Sequence, residues 1–235
     1  LQIEKINCQL NKSYPNALIV KEKNKITHLK SYKQGYFEIQ DANSQKVALA
    51  CSIKPGMTVI DACAGAGGKT MHLGELLNNN GIILAFDPVK KKLRELEKRA
   101  IRNGINIIKT FNTSKIESIL DFIGKADRVL IDAPCSGLGV IKRNPDTKLK
   151  MNPTILKKMI NLQEGLINYW SKFVKDNGEL IYATCSILDQ ENKNQIKKFL
   201  KQENGKKFLL KEEKTYLSHL TGFDGFYIAQ LKKCE

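Results

Sequence analysis

The chain has 235 residues, enough to bury a substantial core as one domain, or one domain with a small appendage. A formal charge of +15 and a pI near 9.5 favour a polyanionic partner, because clustered Lys and Arg release counterions from phosphates; abundant Lys, Asn and Ile would also follow from an AT-rich genome. The cysteines are scattered without a CxxC pair, no apolar run approaches the ~20 residues of a bilayer span, and no signal-peptide pattern opens the chain. Structural zinc, disulfides and a membrane location are disfavoured, and a reduced, cytoplasmic, metal-free monomer is expected.

Leu1–Ser44 shows short mixed segments without a clear period. It reads as the remnant of an N-terminal accessory or RNA-binding element (1–44) before a main domain (45–235), and a chain opening on Leu1 is what a piece of a longer protein would show. From there strands and helices alternate. Met57–Ala62, Ile82–Asp87, Ile107–Asn112, Arg128–Asp132 and Glu179–Cys185 are short runs rich in apolar residues, as expected for strands covered on both faces. Between the second and third, Pro88–Asn103 carries Val89, Leu93, Leu96 and Ala100 on one face, with Asp87 as N-cap and Gly104 past the end. Thr154–Asp176 is expected to bury Ile155, Met159, Leu162, Leu166, Trp170 and Phe173. Gln190–Asn204 follows, with Asp189 as cap. Such alternation predicts an α/β fold, a doubly wound, mostly parallel sheet with helices on both faces. Ligands then sit beyond the carboxyl ends of the strands.

After the first of these strands comes Asp61-Ala62-Cys63-Ala64-Gly65-Ala66-Gly67-Gly68-Lys69-Thr70. A phosphate-binding P-loop needs Gly where Cys63 stands, and a dinucleotide fingerprint would put its third glycine on Thr70. A loop cradling the methionine and ribose parts of S-adenosylmethionine tolerates the pattern. The next strand ends on Asp87, a carboxylate placed to accept from ribose hydroxyls, although a plain helix cap would look the same.

Asp132-Ala133-Pro134-Cys135-Ser136-Gly137 ends the fourth strand and Ala183-Thr184-Cys185-Ser186 the fifth. If these strands are neighbours, their tips lie ~5 Å apart. A free cysteine is more often a small buried hydrophobe than a nucleophile, but both of these sit at the functional end of a strand. A thiolate adds readily to C6 of cytosine and so makes C5 nucleophilic. A nearby acid must meet the charge that builds at N3. Asp132 suits that work if burial raises its pKa.

With these blocks in place the chain resembles the Sun/RsmB-type RNA cytosine-5 methyltransferases over about Gly35 to Lys233. Gly35-Tyr36-Phe37-Glu38-Ile39-Gln40-Asp41 with Ser44-Gln45 is similar to the family's opening motif; the cofactor loop and both cysteine blocks follow in family order. Gly139–Asp146 and Asp224-Gly225-Phe226-Tyr227 also match. The resemblance implies a class I, Rossmann-like S-adenosylmethionine-dependent methyltransferase acting on C5 of a cytosine in RNA, small-subunit ribosomal RNA in preference to transfer RNA. It implies Cys185 as the nucleophile at C6, Cys135 as the thiol that helps release the product, and Lys69 as a contact to the base or a remover of the C5 proton. It further implies cofactor contacts from Cys63, Ala64, Gly65, Ala66, Gly67, Gly68, Lys69, Asp87, Asn112 and Asp132. Three positions depart from the family: Gly65-Ala66 replaces Ala-Pro and gives a softer loop, Asn112 stands where an acid commonly meets adenine, and Lys193 replaces an acidic residue after Glu191-Asn192. Lys142 and Arg143 are the candidate phosphate contacts, within a basic stretch that includes Lys148, Lys150, Lys157 and Lys158. Tyr36, Phe37 and Tyr182 are candidates for stacking on bases, core packing being the commoner role. A non-catalytic RNA-binding assembly factor of the same fold is the alternative from another class.

Overall fold

The computed structural model describes residues 4, 6–20, 26–113 and 119–234. A hairpin of β1 (Cys8–Asn11) and β2 (Tyr14–Val20) comes first, then the short α1 (Lys30–Lys33) and α2 (Ala42–Ala50). The main sheet is built from β3 (Thr58–Asp61), β4 (Ile82–Asp87), β5 (Ile108–Asn112), β6 (Ala126–Asp132), β7 (Val174–Thr184), β8 (Phe208–Tyr216) and β9 (Phe226–Lys233). Its order is β5-β4-β3-β6-β7-β9-β8. β3 to β7 pair in parallel, while β9 runs antiparallel to both β7 and β8. The intervening helices are α3 (Gly68–Leu76), α4 (Lys90–Arg102), α5 (Asp146–Lys150), α6 (Pro153–Trp170), α7 (Lys193–Phe199) and α8 (Ser218–Thr221). Strand order reverses between β3 and β6, and both cofactor loop and first cysteine block leave from that switch point.

The apolar runs are continuous because each residue serves one of two cores. Val59, Ile83, Leu130 and Ile181 face α2 and α3, where Val47, Ala48, Leu73 and Leu77 meet them. Their neighbours Ile60, Leu84, Val129, Leu180 and Tyr182 face the other way, against Ile167 and Trp170 of α6 and Ile196 and Phe199 of α7. Each fully buried branched or aromatic side chain here contributes roughly 1.5–3 kcal/mol. The α/β fold with a doubly wound, mostly parallel sheet is the one anticipated.

Local boundaries differ from the sequence expectation. α4 opens at Lys90 rather than Pro88, because Asp87 remains in its strand with one carboxylate oxygen taken by the Val89 N–H (2.7 Å) and the other by the Gly65 N–H (3.1 Å). α6 ends at Trp170 and runs through a 3-10 turn, Ser171–Phe173, directly into β7; the pairing of Ala126 with Val174 recruits residues 174–178 into the sheet. The buried face of α6 is also rotated. Gln163 is sealed while Leu162 is 45% exposed, because the Gln163 amide serves polar partners described below. α7 is short, and Asn192, not Asp189, stands at its N-cap. The expected boundary at 44/45 falls inside α2, whose N-cap Asp41 accepts from the N–H groups of Asn43 and Ser44.

Candidate active site

The loop between β3 and α3 is pinned to the sheet by the Ala62 N–H on the Leu130 carbonyl (2.8 Å) and the Ala64 N–H on the Phe86 carbonyl (2.9 Å). Gly67, at φ +88°, admits no side chain: a Cβ would lie 2.7 Å from Leu96 Cγ. Gly65 and Gly68 face open space, with nothing within 4 Å of a built Cβ. The softer Gly65-Ala66 pair is held from outside. Arg99 donates to the Ala66 carbonyl at 2.7 Å and pairs with Glu38 at 2.9 Å. Glu38 in turn accepts from Arg102 and Asn103, and Gln40 donates to the Gly68 carbonyl at 3.2 Å. The Gly35–Asp41 motif is therefore a brace for the cofactor loop.

Asp61, at the tip of β3, is buried; Thr70 Oγ1 donates to its Oδ2 at 2.8 Å, and its Oδ1 has no hydrogen-bond partner. Burial, aided by the nearby charge of Asp132, pushes its pKa up to about 6. Burial likewise raises the Cys63 thiol. Asn112 donates to the Pro88 carbonyl at 3.0 Å, so its amide is turned toward the start of α4. An open glycine cradle, an acid at the tip of β4 and a buried acceptor left over beside them suit a nucleoside carrying a cationic amino-acid chain.

β6 and β7 are parallel neighbours, with Asp132 in register with Ala183. Their tips bring Cys135 Sγ and Cys185 Sγ to 3.4 Å. The hydrogen bond from Cys135, with further help from the Lys69 ammonium, lowers the Cys185 thiol below the ordinary cysteine range despite burial. The same contact, together with burial, raises Cys135. Lys69 Nζ pairs with Asp132 Oδ2 at 2.6 Å. Burial opposes the Lys69 ammonium, but Asp132 and Cys185 outweigh it and hold its pKa above the usual lysine range. The Asp132 side chain is 26% exposed and ion-paired rather than sealed. The reason is that Lys69, at the start of α3, reaches across the switch point to the tip of β6.

The sequence reading passed over the residue that joins the two cysteine blocks. Glu191 is fully buried. Its Oε1 accepts from the Ser136 N–H at 2.8 Å and from Gln163 at 3.0 Å, and its Oε2 accepts from the hydroxyls of both Ser136 and Ser186. Gly139 adds a second stitch, its N–H on the Cys185 carbonyl (2.9 Å) and its carbonyl accepting from the Gly225 N–H (2.7 Å). The signal available in the sequence was the repeated Cys-Ser, which puts a hydroxyl after each thiol; the shared acceptor lies 55 residues beyond the first of them.

Residues 48–232 match the family described as 16S rRNA methyltransferase RsmB/F. The chain belongs to this RsmB/F family. It is 33% identical over 223 residues to a probable ribosomal RNA small subunit methyltransferase B of Synechocystis, covering 88% of this chain and 50% of that protein. A Bacillus subtilis protein of the same description is 33% identical over 219 residues, covering 86% of this chain and 49% of the relative. The chain thus spans about half the length of these curated relatives. Among solved structures, NSun6 from Pyrococcus horikoshii with SFG superposes with a TM-score of 0.81 at 28% identity, over 93% of this chain and 60% of that one. A methyltransferase homologue from the same organism gives a TM-score of 0.84 at 26% identity, over 99% and 80% of the two chains. SFG is an analogue of S-adenosylmethionine, and S-adenosylmethionine is the cofactor of this RsmB/F domain. The fold is the Rossmann-like, class I methyltransferase fold.

On the RsmB/F surface the remaining candidates separate. Arg143 forms an ion pair with the buried Asp224, and Lys142 donates to the Gly222 carbonyl at 3.4 Å. Arg143, Asn144, Thr147 and Lys150 line a shallow groove of about 340 Å³. Lys148, Lys157 and Lys158 are exposed. Tyr36 is 76% exposed and free to stack, Phe37 packs on Tyr32, and Tyr182 is sealed in the core with its hydroxyl on the Glu191 carbonyl. Tyr182 cannot reach a base. Among the described residues, no helix is long and apolar enough to cross a membrane.

Proposed function

We propose that this chain is the catalytic part of an S-adenosylmethionine-dependent RNA methyltransferase that methylates C5 of a cytosine, in small-subunit ribosomal RNA, through a covalent bond between Cys185 and C6. The observation that carries the reading is the 3.4 Å contact between two thiols at neighbouring strand tips, the second of them shifted toward its thiolate. The names of the relatives, ribosomal RNA small subunit methyltransferase B, support the choice of RNA. Residues 1–44, of which 35–41 also brace the cofactor loop, are proposed as the remnant of an N-terminal accessory or RNA-binding element.

Bound in the loop from Cys63 to Lys69, with Asp87, Asn112 and Asp132 alongside, S-adenosylmethionine supplies an electrophilic methyl group. The chain's own residues do the rest. The Cys185 thiolate forms an S–C6 bond, and the electron pair of C5=C6 becomes available at C5 while negative charge builds toward N3. The Lys69–Asp132 pair provides the hydrogen-bond donor that this charge needs. Once C5 is methylated, solvent water takes its proton, the C5–H electron pair restores C5=C6 and the S–C6 electrons return to sulfur. Cys135, whose thiol stays protonated, is placed to assist that departure. Arg143 and Lys142 hold phosphates near the mouth, and a paired cytosine must be extruded to enter, at a cost of a few kcal/mol.

RNA carrying 5-fluorocytosine tests the proposal, because fluorine cannot leave C5 as a proton does. A denaturation-resistant adduct is expected, absent in Cys185→Ala. Trapping that survives Cys185→Ala and disappears in Cys135→Ala would reverse the two thiols.

A further inference from the structure

We infer that Glu191 is a positioning residue for both thiols: by holding Ser136 and Ser186 on one carboxylate it sets the contact between Cys135 and Cys185. The inference rests on the catalytic reading above for its importance, but on geometry for its content. Each serine directly follows a cysteine, and the two blocks leave separate strands. Nothing covalent fixes the tip of one against the other. Glu191 supplies four acceptor contacts at that junction: one to the backbone N–H of Ser136, two to the serine hydroxyls and one to Gln163. The Ser136 and Ser186 hydroxyls also approach each other at 3.1 Å. Each then accepts from the backbone N–H two residues on, Leu138 at 3.4 Å and Leu188 at 3.1 Å. The two turns are built alike around a shared acceptor.

The anchor itself is rigid. Tyr182 donates to the Glu191 carbonyl at 2.7 Å, and Gln163 also holds the Pro134 carbonyl at 2.9 Å. Asn192, the next residue, accepts from Thr184 Oγ1 at 2.6 Å and donates to the Ser186 carbonyl at 3.0 Å. Cys185 is thus gripped on both sides, and Cys135 from Pro134 and Ser136. Among the described residues Glu191 makes no hydrogen bond to Cys63–Lys69 or to either sulfur. Apart from its charge, which helps to raise the Cys135 thiol, its action on the chemistry runs through the serines. A buried carboxylate with every contact as acceptor cannot be exchanged for an amide without turning a donor onto a hydroxyl or an N–H.

The test follows thiol chemistry in the whole chain without RNA, using Glu191→Gln, Glu191→Ala and the double variant Ser136→Ala/Ser186→Ala. Iodoacetamide labelling of Cys185, read by mass spectrometry across pH, reports the thiolate; dibromobimane, which fluoresces on bridging two close thiols, reports the contact. Expected for Glu191→Gln are an intact fold, unchanged S-adenosylmethionine affinity, weak bridging and a labelling profile displaced to higher pH, with the pH 7 rate down about three- to tenfold. The double serine variant should reproduce this and carries the test if the Glu191 variants do not fold. A wild-type labelling profile with full bridging in any folded variant overturns the inference. Failure of the wild-type chain to trap 5-fluorocytosine RNA would strike the catalytic reading alone and leave the thiol result standing.

Discussion

Cys135 Sγ and Cys185 Sγ lie 3.4 Å apart, a contact that raises the pKa of the first thiol and lowers that of the second. A pair of chemically identical side chains is thereby divided into a thiol nearer its thiolate and a thiol that keeps its proton. Their mutual contact is the largest cause of both shifts; burial raises both thiols, Asp132 raises and Lys69 lowers Cys185, and the Glu191 carboxylate adds to the rise at Cys135.

That contact predicts a pH profile. The Cys185 thiol is lowered by its contact with Cys135, so adduct formation should rise with pH through a midpoint below that of an unperturbed cysteine. Cys135→Ala removes the donor, moves the midpoint upward and slows attack at pH 7 several-fold. It should also leave adduct accumulating on ordinary RNA, because the partner needed for release has gone. Rapid-quench gels across pH measure both effects.

Asp61 should trade stability against cofactor binding. Its folded pKa of about 6 exceeds that of an exposed aspartate, so the native state binds more protons between about pH 4 and pH 6. Stability linked to this group is present below the unfolded pKa and lost as pH rises through the folded one. Asp61→Asn keeps an acceptor for Thr70 and removes a buried charge, and should stabilise the cofactor-free chain by about 1–3 kcal/mol at pH 7. The same change should weaken S-adenosylmethionine binding, since a cationic ligand loses its anionic partner. Thermal melts at pH 4.5 and pH 7, with titration calorimetry, check both; a Tm gain that is equal at the two pH values refutes the assignment.

Gly139 admits no side chain. A Cβ there would stand 2.3 Å from the Gly225 carbonyl oxygen and 2.7 Å from that of Cys185, both backbone atoms that cannot swing aside. Gly139→Ala is expected to cost roughly 1–3 kcal/mol, as overpacking does, and to reduce trapping of 5-fluorocytosine RNA more than S-adenosylmethionine binding. Chemical denaturation alongside the two binding assays distinguishes a local effect from general loss of fold.

The brace on the cofactor loop makes a separate prediction. Arg99→Met removes the donor to the Ala66 carbonyl and one partner of Glu38. S-adenosylmethionine affinity should fall about five- to tenfold, the equivalent of one ordinary hydrogen bond, with the thiol pH profile unchanged. An unaltered affinity would show that the loop holds its shape without the brace.

The sequence by itself determined the class of fold and the candidates for the reactive groups. Apolar runs such as Ile82–Asp87 are covered on both faces, so only a doubly wound sheet accommodates them, and strand ends then locate Cys135, Cys185, Asp87 and the glycine loop. Such signals are local: each depends on residues a few positions apart. Tertiary structure alone decided how those groups act. Asp132 became half of an ion pair because Lys69 arrives from α3. Arg143 is drawn onto Asp224, and Tyr182, a stacking candidate on paper, is sealed behind the sheet. Glu191 became the hub because a buried carboxylate must find donors, and those it found sit 55 and 5 positions away along the chain. Periodicity and motif spacing carry no information about partners brought together by folding at such separations, and it is those partners that set charge, exposure and the distance between the two sulfurs.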